Sequence, residues 1–154
     1  MTVDILLQAF ALVFRWDVIL IIIASGVFGM FVGSMPGLTA TMATALLIPV
    51  TFFMDPVPAL GAIVTATAMA IFAGDIPAAM LRMPGTPASA AYTDESYLMG
   101  KKGQLDLNLG TNLVTSALGG LIGVAILVLA APALAEFALA FSSFEYFWLA
   151  ALGL

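Results

Sequence analysis

Two short segments of this sequence combine proline, glycine and threonine in the same order, and both could bind an anion. They are Pro36-Gly37-Leu38-Thr39 and Pro84-Gly85-Thr86-Pro87. In each, the Pro-Gly pair interrupts a helix, and the threonine can cap the next one. A helix start has unpaired N–H groups and a partial positive charge, so it attracts anions. The pattern predicts an anion site at two helix starts, formed by Pro36, Gly37, Thr39, Pro84, Gly85 and Thr86.

Hydroxyl and guanidinium groups near these breaks are the candidate ligand contacts. Thr39, Thr86 and Ser89 can donate hydrogen bonds to a carboxylate. Arg82 lies in an apolar stretch, and its planar fork matches a carboxylate, which makes it the candidate counter-charge. Two other roles remain open for Arg82: a structural ion pair with Asp75, or contact with lipid headgroups. Both breaks could equally be ordinary loops at the membrane surface.

A second set of residues could bind a coupling ion. Thr41 and Asp75 are the candidates for Na+, with H+ as the other possible ion. Asp75 could instead be the partner of Arg82 or a loop charge. Thr41 and Thr44 lie inside a predicted helix, where a threonine hydroxyl often bonds only its own preceding carbonyl.

The residues that most enzymes, metal sites and nucleic-acid-binding proteins need are scarce or absent in this sequence. The chain has no cysteine and no histidine, which removes thiol nucleophiles and the commonest general base and metal ligand. Asp94 and Glu95 are adjacent on a predicted helix and therefore do not face one another. Four basic residues and a net charge of -5 give nucleic-acid binding almost no electrostatic basis. We therefore predict neither an enzyme nor a cofactor or metal site.

The elements that position these residues are predicted to be membrane helices. The chain is 63% hydrophobic and 8% charged, against about 25% charged residues in a typical soluble domain. Residues 18–54, 56–74 and 107–135 contain no charged side chain. A helix that crosses the hydrocarbon layer needs about 20 apolar residues. The fold class predicted is an all-α, polytopic integral membrane bundle with discontinuous or re-entrant helices.

Four segments follow from this pattern. Residues 1–17 form an interfacial amphipathic segment, and 18–58 hold the first membrane helices with the first break. Residues 59–105 hold a membrane helix, the re-entrant second break and a polar helix over about 87–99. Residues 106–154 form spanning helices, one over about 109–131 and another from 133. Because 154 falls inside an apolar run, we expect the chain to be cut within a longer polypeptide.

These motifs also resemble those of a known family. Pro36 to Ala43, Leu46 to Pro49 and Asp55-Pro56 are similar to the first signature of the large permease subunit of tripartite tricarboxylate transporters. Gly74 to Pro77, Met83 to Ser89 and Tyr97 to Gly103 resemble the second signature. The similarity continues through Gly119-Gly120 and Ala131-Pro132 to Glu145-Tyr146-Phe147, and so covers nearly the whole chain.

The resemblance implies a multi-pass permease of the bacterial inner membrane. Its partners would be a small membrane subunit and a periplasmic solute-binding protein, and its substrates tri- or dicarboxylates. An ion gradient, commonly Na+, would drive import by alternating access. The family's permease is about three times longer and has two inverted halves, of which this chain would be the amino-terminal one. The alternative function is a non-transporting structural or assembly subunit.

Three positions depart from the family's pattern. Members commonly have Gly-Gly-Ser where this chain has Ala73-Gly74-Asp75, and Asn where it has Arg82. The usual Asp-Gly-Tyr-Pro corresponds here to Glu95-Ser96-Tyr97-Leu98. The first two departures lie beside the predicted site, so we expect charge selectivity that differs from that of a citrate transporter.

Overall fold

The computed structural model describes residues 3–139 and 141–153, and these are 83% helical with no strand. This confirms the all-α prediction. The α-helices in the described ranges are α1 Val3–Val13, α2 Trp16–Gly33, α3 Ala40–Thr51, α4 Pro56–Ala73, α5 Asp75–Leu81, α6 Thr93–Lys101, α7 Leu105–Leu139 and α8 Ser143–Gly153. A short 3-10 helix, Ser89–Tyr92, precedes α6.

Three segments are long and apolar enough to cross a membrane. They are Trp16–Gly33, Pro56–Leu81 and Leu105–Leu139 among the described residues. The shortest has 18 residues, which corresponds to about 27 Å at 1.5 Å per residue, close to the thickness of the hydrocarbon layer. Together with the helical content, these segments confirm an all-α membrane protein.

The chain divides into two compact units, residues 1–113 and 114–154. The first holds α1 to α6 and the start of α7. The second holds the rest of α7 and α8, which meet around Phe141. Its ring centroid lies 5.0 Å from that of Phe137 and 6.0 Å from that of Tyr146. The Tyr146 hydroxyl donates a hydrogen bond to the Ala138 carbonyl at 2.9 Å.

Helix α2 has small residues on its buried face and large ones on its exposed face. The large side chains, each more than half exposed, are Leu20, Ile23, Val27 and Phe31. The buried residues are Val18, Ser25, Gly26, Gly29, Val32 and Gly33. A helix in water would reverse this distribution, whereas a helix in lipid keeps large apolar side chains outside and small residues at helix contacts.

The small face of α2 contacts the small face of α4 at van der Waals distance. A Cβ atom added at Gly29 would lie 2.2 Å from the Ala66 carbonyl oxygen, and one at Gly33 would lie 2.2 Å from that of Ala70. No real side chain fits at such a distance, so glycine is required at both positions. Because nothing separates the two backbones, the contact sets the distance between the helices.

The register of this contact gives the direction of the two helices. Ile22 lies against Gly61, Gly29 against Ala66, and Gly33 against Ala70. The residue numbers increase together, so α2 and α4 run parallel, and α3 with its flanking loops returns the chain between them. The carboxyl ends of α2 and α4 therefore lie at the same end of the pair. The first Pro-Gly break follows one of these ends, and the second follows the other after α5.

The structure differs from the sequence prediction in two elements. Helix α7 continues through Pro132 to Leu139, although a helix end near residue 131 was expected. Proline removes one backbone hydrogen bond, but membrane helices tolerate this loss where neighbouring groups compensate. The predicted polar helix over residues 87–99 is divided into the 3-10 helix Ser89–Tyr92 and α6. The interfacial position of residues 1–17 and the inverted-repeat arrangement stay predictions.

The contact between α2 and α4 makes a stability prediction. We expect Gly29→Ala to lower the free energy of unfolding by about 1–3 kcal/mol, because the new methyl group must displace the Ala66 backbone. The measurement is reversible unfolding of the purified protein in detergent micelles.

Gly26→Ala is the matched control on the same helix face. Its Cβ would meet the Thr65 Cγ2 at 3.3 Å and the Met69 Cγ at 3.6 Å, and both are side-chain atoms that can move. A loss of stability in Gly26→Ala equal to that in Gly29→Ala would contradict the backbone contact.

Candidate ligand-binding site

A cavity of about 510 Å³ lies between α3, α4 and the second break. Both predicted breaks contribute to its wall. Its lining residues are Thr39, Ala40, Thr41, Thr44, Ala45, Ile48, Thr67, Ile71, Gly85, Thr86 and Pro87. The cavity is therefore the place where the two Pro-Gly motifs, 48 positions apart in the sequence (84 − 36), come together.

The first break starts a helix at the cavity wall. Gly37 has a φ of +90°, which glycine adopts without strain. Thr39 is the N-cap of α3, and its hydroxyl accepts a hydrogen bond from the Met42 N–H at 3.2 Å. Ala40 and Thr41 follow and line the cavity. Their N–H groups belong to the first turn, which has no partners within the helix, so they are available to a ligand.

The second break lies directly against the junction of α4 and α5. The Gly85 N–H donates a hydrogen bond to the Gly74 carbonyl at 3.3 Å. A Cβ atom on Gly85 would lie 2.6 Å from the Gly74 Cα. Two glycines are needed because the backbones touch. The contact fixes the second break at the end of α4, and it thereby fixes the position of Thr86 in the cavity wall.

Thr86 and Ser89 cap each other. The Ser89 N–H donates to the Thr86 Oγ1 at 3.2 Å, the Thr86 N–H donates to the Ser89 Oγ at 3.0 Å, and the Ser89 hydroxyl donates to the Thr86 carbonyl at 2.9 Å. Ser89 has no exposed surface, and Pro87 has no N–H. The polar groups of the second break are thus largely satisfied internally, whereas α3 leaves N–H groups open at the first.

Thr44 and Thr67 form a hydroxyl pair across α3 and α4. Their oxygens are 2.9 Å apart. Thr44 also donates to the Ala40 carbonyl at 2.9 Å, and Thr67 to the Ile63 carbonyl at 2.7 Å. Two hydroxyl hydrogens therefore serve three contacts, so one contact always lacks a hydrogen. The pair can turn a hydrogen towards a ligand, or offer oxygen lone pairs to a cation, at small cost.

The lining residues that the structure describes carry no charge. An anion in this cavity would be stabilised by the start of α3 and by threonine hydroxyls. Ile48 and Ile71 form an apolar part of the wall, suited to the carbon skeleton of a ligand. The arrangement therefore fits a small molecule that combines carboxylate groups with an apolar body.

Arg82 lies outside the cavity and pairs with Asp94. Its backbone is left-handed, with a φ of 58°, where it ends α5. Its Nε donates a hydrogen bond to the Asp94 Oδ1 at 2.7 Å, and both side chains are more than half exposed. This hydrogen bond and the charge of Arg82 hold the pKa of the Asp94 carboxyl below its usual range. Arg82 is therefore paired with Asp94 and not with Asp75, which was the alternative partner.

Asp75 is buried and bonded to neutral groups. Its side chain is 3% exposed. The Tyr92 hydroxyl donates to its Oδ1 at 2.7 Å, and the Asn112 amide donates to its Oδ2 at 3.2 Å. Asp75 joins α5, the 3-10 helix and α7, and it does not line the cavity.

The structure therefore divides the predicted site residues into two groups. Those that line the cavity are Thr39, Thr41, Gly85 and Thr86. Those that do not are Pro36, Gly37, Asp75, Arg82, Pro84 and Ser89. Of these, Pro36, Gly37 and Pro84 are exposed residues of the breaks. Ser89 is buried and holds the lining residue Thr86 by hydrogen bonds.

Thr67 was not predicted. Thr65 and Thr67 are similar hydroxyl residues in one apolar helix, separated by about 200° around its axis. The sequence does not indicate which of them faces α3. The sequence feature that could have identified Thr67 as a site residue was its hydroxyl group in a membrane helix of small residues. The structure turns Thr65 towards Gly26 and Thr67 towards Thr44.

Three membrane-length segments define an all-α integral membrane protein, and the threonine-lined cavity between α3, α4 and the second break is its candidate small-molecule site. The family model described as "Tripartite tricarboxylate transporter TctA family" matches residues 19–154. The chain belongs to this family, which confirms the resemblance stated above.

A curated relative supports the assignment. The chain is 36% identical over 126 residues to a protein of Agrobacterium vitis named "Uncharacterized 52.8 kDa protein in TAR-I ttuC' 3'region". The match covers 82% of this chain and 25% of that protein, so the chain spans about a quarter of its relative's length. No solved structure matches the chain.

The mutual cap of the second break predicts energetic coupling. Thr86→Ala and Ser89→Ala should each cost about 0.5–2 kcal/mol of stability, as for other helix caps. Because they remove the same hydrogen bonds, we expect the double variant to cost less than the sum of the two. Reversible unfolding in detergent gives the double-mutant cycle.

Ser34→Ala is the control, because the Ser34 hydroxyl is bonded to the Phe31 carbonyl and plays no part in the break. Additive effects of Thr86→Ala and Ser89→Ala would show that the two residues do not cap each other.

Proposed function

We propose that this chain forms part of the substrate site of a membrane permease that imports small carboxylates with an ion gradient. The observation that carries the proposal is the meeting of the α3 start and the second break around one uncharged, threonine-lined cavity. Helix starts next to interrupted membrane segments are a common way for secondary transporters to hold anionic substrates.

The carboxylate would bind at the start of α3. The N–H groups of Ala40 and Thr41 and the Thr41 hydroxyl, which belong to lining residues, would donate to its oxygens. Thr44 or Thr67 can add a further hydrogen bond by turning its hydrogen away from its own helix carbonyl. The cavity volume of about 510 Å³ falls within the usual range for small-molecule sites.

Na+ is the coupling ion that family membership favours. Hydroxyl oxygens suit a hard cation, and the cavity offers those of Thr41, Thr44 and Thr67. The Thr44–Thr67 pair is the better candidate, because its two oxygens already lie 2.9 Å apart. A cation there would lie beside the bound carboxylate and reduce its charge, which would make the binding of the two solutes interdependent.

Family membership also supports the proposed partners and mechanism. A periplasmic binding protein would deliver the carboxylate, and a small membrane subunit would accompany the permease in the bacterial inner membrane. The remainder of the permease would supply the facing wall of the cavity as an inverted second half. Alternating access would then expose the site to each side of the membrane in turn.

The hydroxyl contacts can be tested by uptake of radiolabelled citrate and succinate into proteoliposomes. The assay uses the complete permease with its small subunit and loaded binding protein, and a Na+ gradient. In Thr67→Val, loss of a hydrogen bond to a charged group costs about 1.5–3 kcal/mol. We therefore expect KM to rise about ten- to a hundredfold.

Thr65→Val is the matched control, because it makes the same change on the face of α4 that contacts α2. A similar KM in both variants would place the substrate elsewhere. Absence of gradient-driven uptake of any carboxylate by the wild-type protein would favour the alternative, a structural or assembly subunit.

The geometry of Arg82 makes a separate prediction for the same assay. Arg82→Ala and Asp94→Ala should both leave uptake near the wild-type rate, because each removes one partner of an exposed ion pair outside the cavity. A loss of uptake in Arg82→Ala alone would instead identify Arg82 as the counter-charge for the substrate.

A further inference from the structure

Asp75 is a buried carboxyl group within a segment long enough to span the membrane. It is 3% exposed and lies in the apolar stretch Pro56–Leu81. An ionised carboxylate at membrane depth is costly without a cationic partner, and such residues often move protons. The proposed binding site has no role for it, since Asp75 does not line the cavity.

The hydrogen-bond partners of Asp75 are neutral. They are the Tyr92 hydroxyl at 2.7 Å and the Asn112 amide at 3.2 Å. Burial and the hydrogen bond to Asp75 raise the pKa of the Tyr92 phenol, so Tyr92 keeps its proton and remains the donor. Within the described ranges, the ion pairs join Arg15 to Asp17 and Arg82 to Asp94, and neither includes Asp75.

The elements around Asp75 carry few other titratable groups. The 3-10 helix carries Tyr92. Helix α6 carries Asp94, which is paired with Arg82, together with Glu95 and Lys101. The Lys101 amine lies 5.0 Å from the centre of the Tyr97 ring. Helix α7 begins near Asp106. None of these charged groups is hydrogen-bonded to Asp75, so its charge is not neutralised locally.

A second polar pair, Ser96 and Asn108, joins α6 to α7 one helical turn from Asn112. Asn108 is one turn before Asn112 on α7 and therefore on the same face. It is 6% exposed, and its Oδ1 accepts a hydrogen bond from the Ser96 hydroxyl at 3.4 Å. Its amide nitrogen has no acceptor among the described residues. A buried donor of this kind favours one further acceptor, such as a water molecule that could exchange a proton with the cluster.

Asp75 is connected to the cavity wall by two routes. Gly74 precedes it directly and holds Gly85 through a backbone hydrogen bond of 3.3 Å. Tyr92 ends the 3-10 helix that begins at Ser89, which is hydrogen-bonded to the lining residue Thr86. A change in the hydrogen bonds of Asp75 therefore acts on the second break at both of its ends.

We propose that Asp75 takes up and releases a proton during the transport cycle, and that carboxylate transport by this protein is therefore proton-linked. Uptake forms one O–H bond on a carboxylate oxygen and removes one negative charge. The proton comes from a hydronium ion on the side with the lower pH, whose O–H bond breaks to leave water, and it passes to a water molecule on the other side, where the O–H bond on Asp75 breaks. The protonated oxygen accepts less strongly from Tyr92 or Asn112, which loosens the second break. The transport part of this inference rests on the proposed function.

The variant Asp75→Asn separates proton binding from substrate binding, because it keeps the size of the side chain and cannot ionise. In proteoliposomes with radiolabelled citrate or succinate, we expect an inward proton gradient to stimulate uptake by the wild-type protein. Asp75→Asn should lose this stimulation but keep counterflow, the exchange of external label for internal unlabelled substrate. Asp94→Asn, an exposed acid on α6, is the control and should keep both. Stimulation of Asp75→Asn at the wild-type level would overturn the proposal.

Tyr92→Phe gives a second test that does not remove the carboxyl group. It deletes one donor to the ionised form, so the pH at which stimulation is half-maximal should move upwards. An unchanged midpoint would contradict the assigned contact and the proposal with it.

Infrared difference spectroscopy tests proton binding without any transport assay. Acidification of the purified wild-type protein should produce the C=O stretching band of a protonated carboxylic acid, and Asp75→Asn should lack this component. Its presence in both would show that Asp75 does not take up the proton. If the wild-type protein binds the proton at Asp75 but transports no carboxylate, the proposed function fails while the proton site stands.

Discussion

The backbone contact between α2 and α4 is the constraint on which the rest of the first unit, residues 1–113, depends. Glycines 29 and 33 allow the two helices to touch at Ala66 and Ala70. In lipid, where apolar side chains gain little from burial, such close packing of small residues holds helices together. The parallel register of this pair places the ends of α2 and α4 side by side. The two Pro-Gly breaks, which follow these ends, are thereby brought to one cavity.

The two breaks perform different tasks despite their similar sequences. The first begins a 12-residue helix, α3, and leaves N–H groups at the cavity wall. The second satisfies its own polar groups through Thr86 and Ser89, and rests on Gly74 through Gly85. The first break therefore begins a helix at the cavity wall, and the second is a self-capped piece of that wall held against Gly74.

The polar groups of the first unit form two separate clusters with different chemistry. The cavity has hydroxyls without charge, and these can exchange hydrogen bonds with a ligand at small cost. The group around Asp75 has a buried carboxyl that is hydrogen-bonded to a hydroxyl and an amide, and the ion pairs of the described residues do not include it. The end of α4 and the second break connect the two clusters through Gly74. Arg82 and Asp94 form an ion pair of their own outside both of them.

Composition and the long charge-free runs determined that this is an all-α membrane protein. In lipid the backbone N–H and C=O groups of such a run must be hydrogen-bonded within the segment, as they are in a helix. Local chemistry determined the two breaks and the capping role of Thr39, since proline, glycine and threonine act within a few residues. The tertiary structure decided what depends on helix faces and register: that Thr67 and not Thr65 meets Thr44, and that Asp75 bonds with Tyr92 and Asn112. These contacts join residues 17 to 37 positions apart. Local sequence does not encode them, because the packing of helices distant in sequence selects which faces meet.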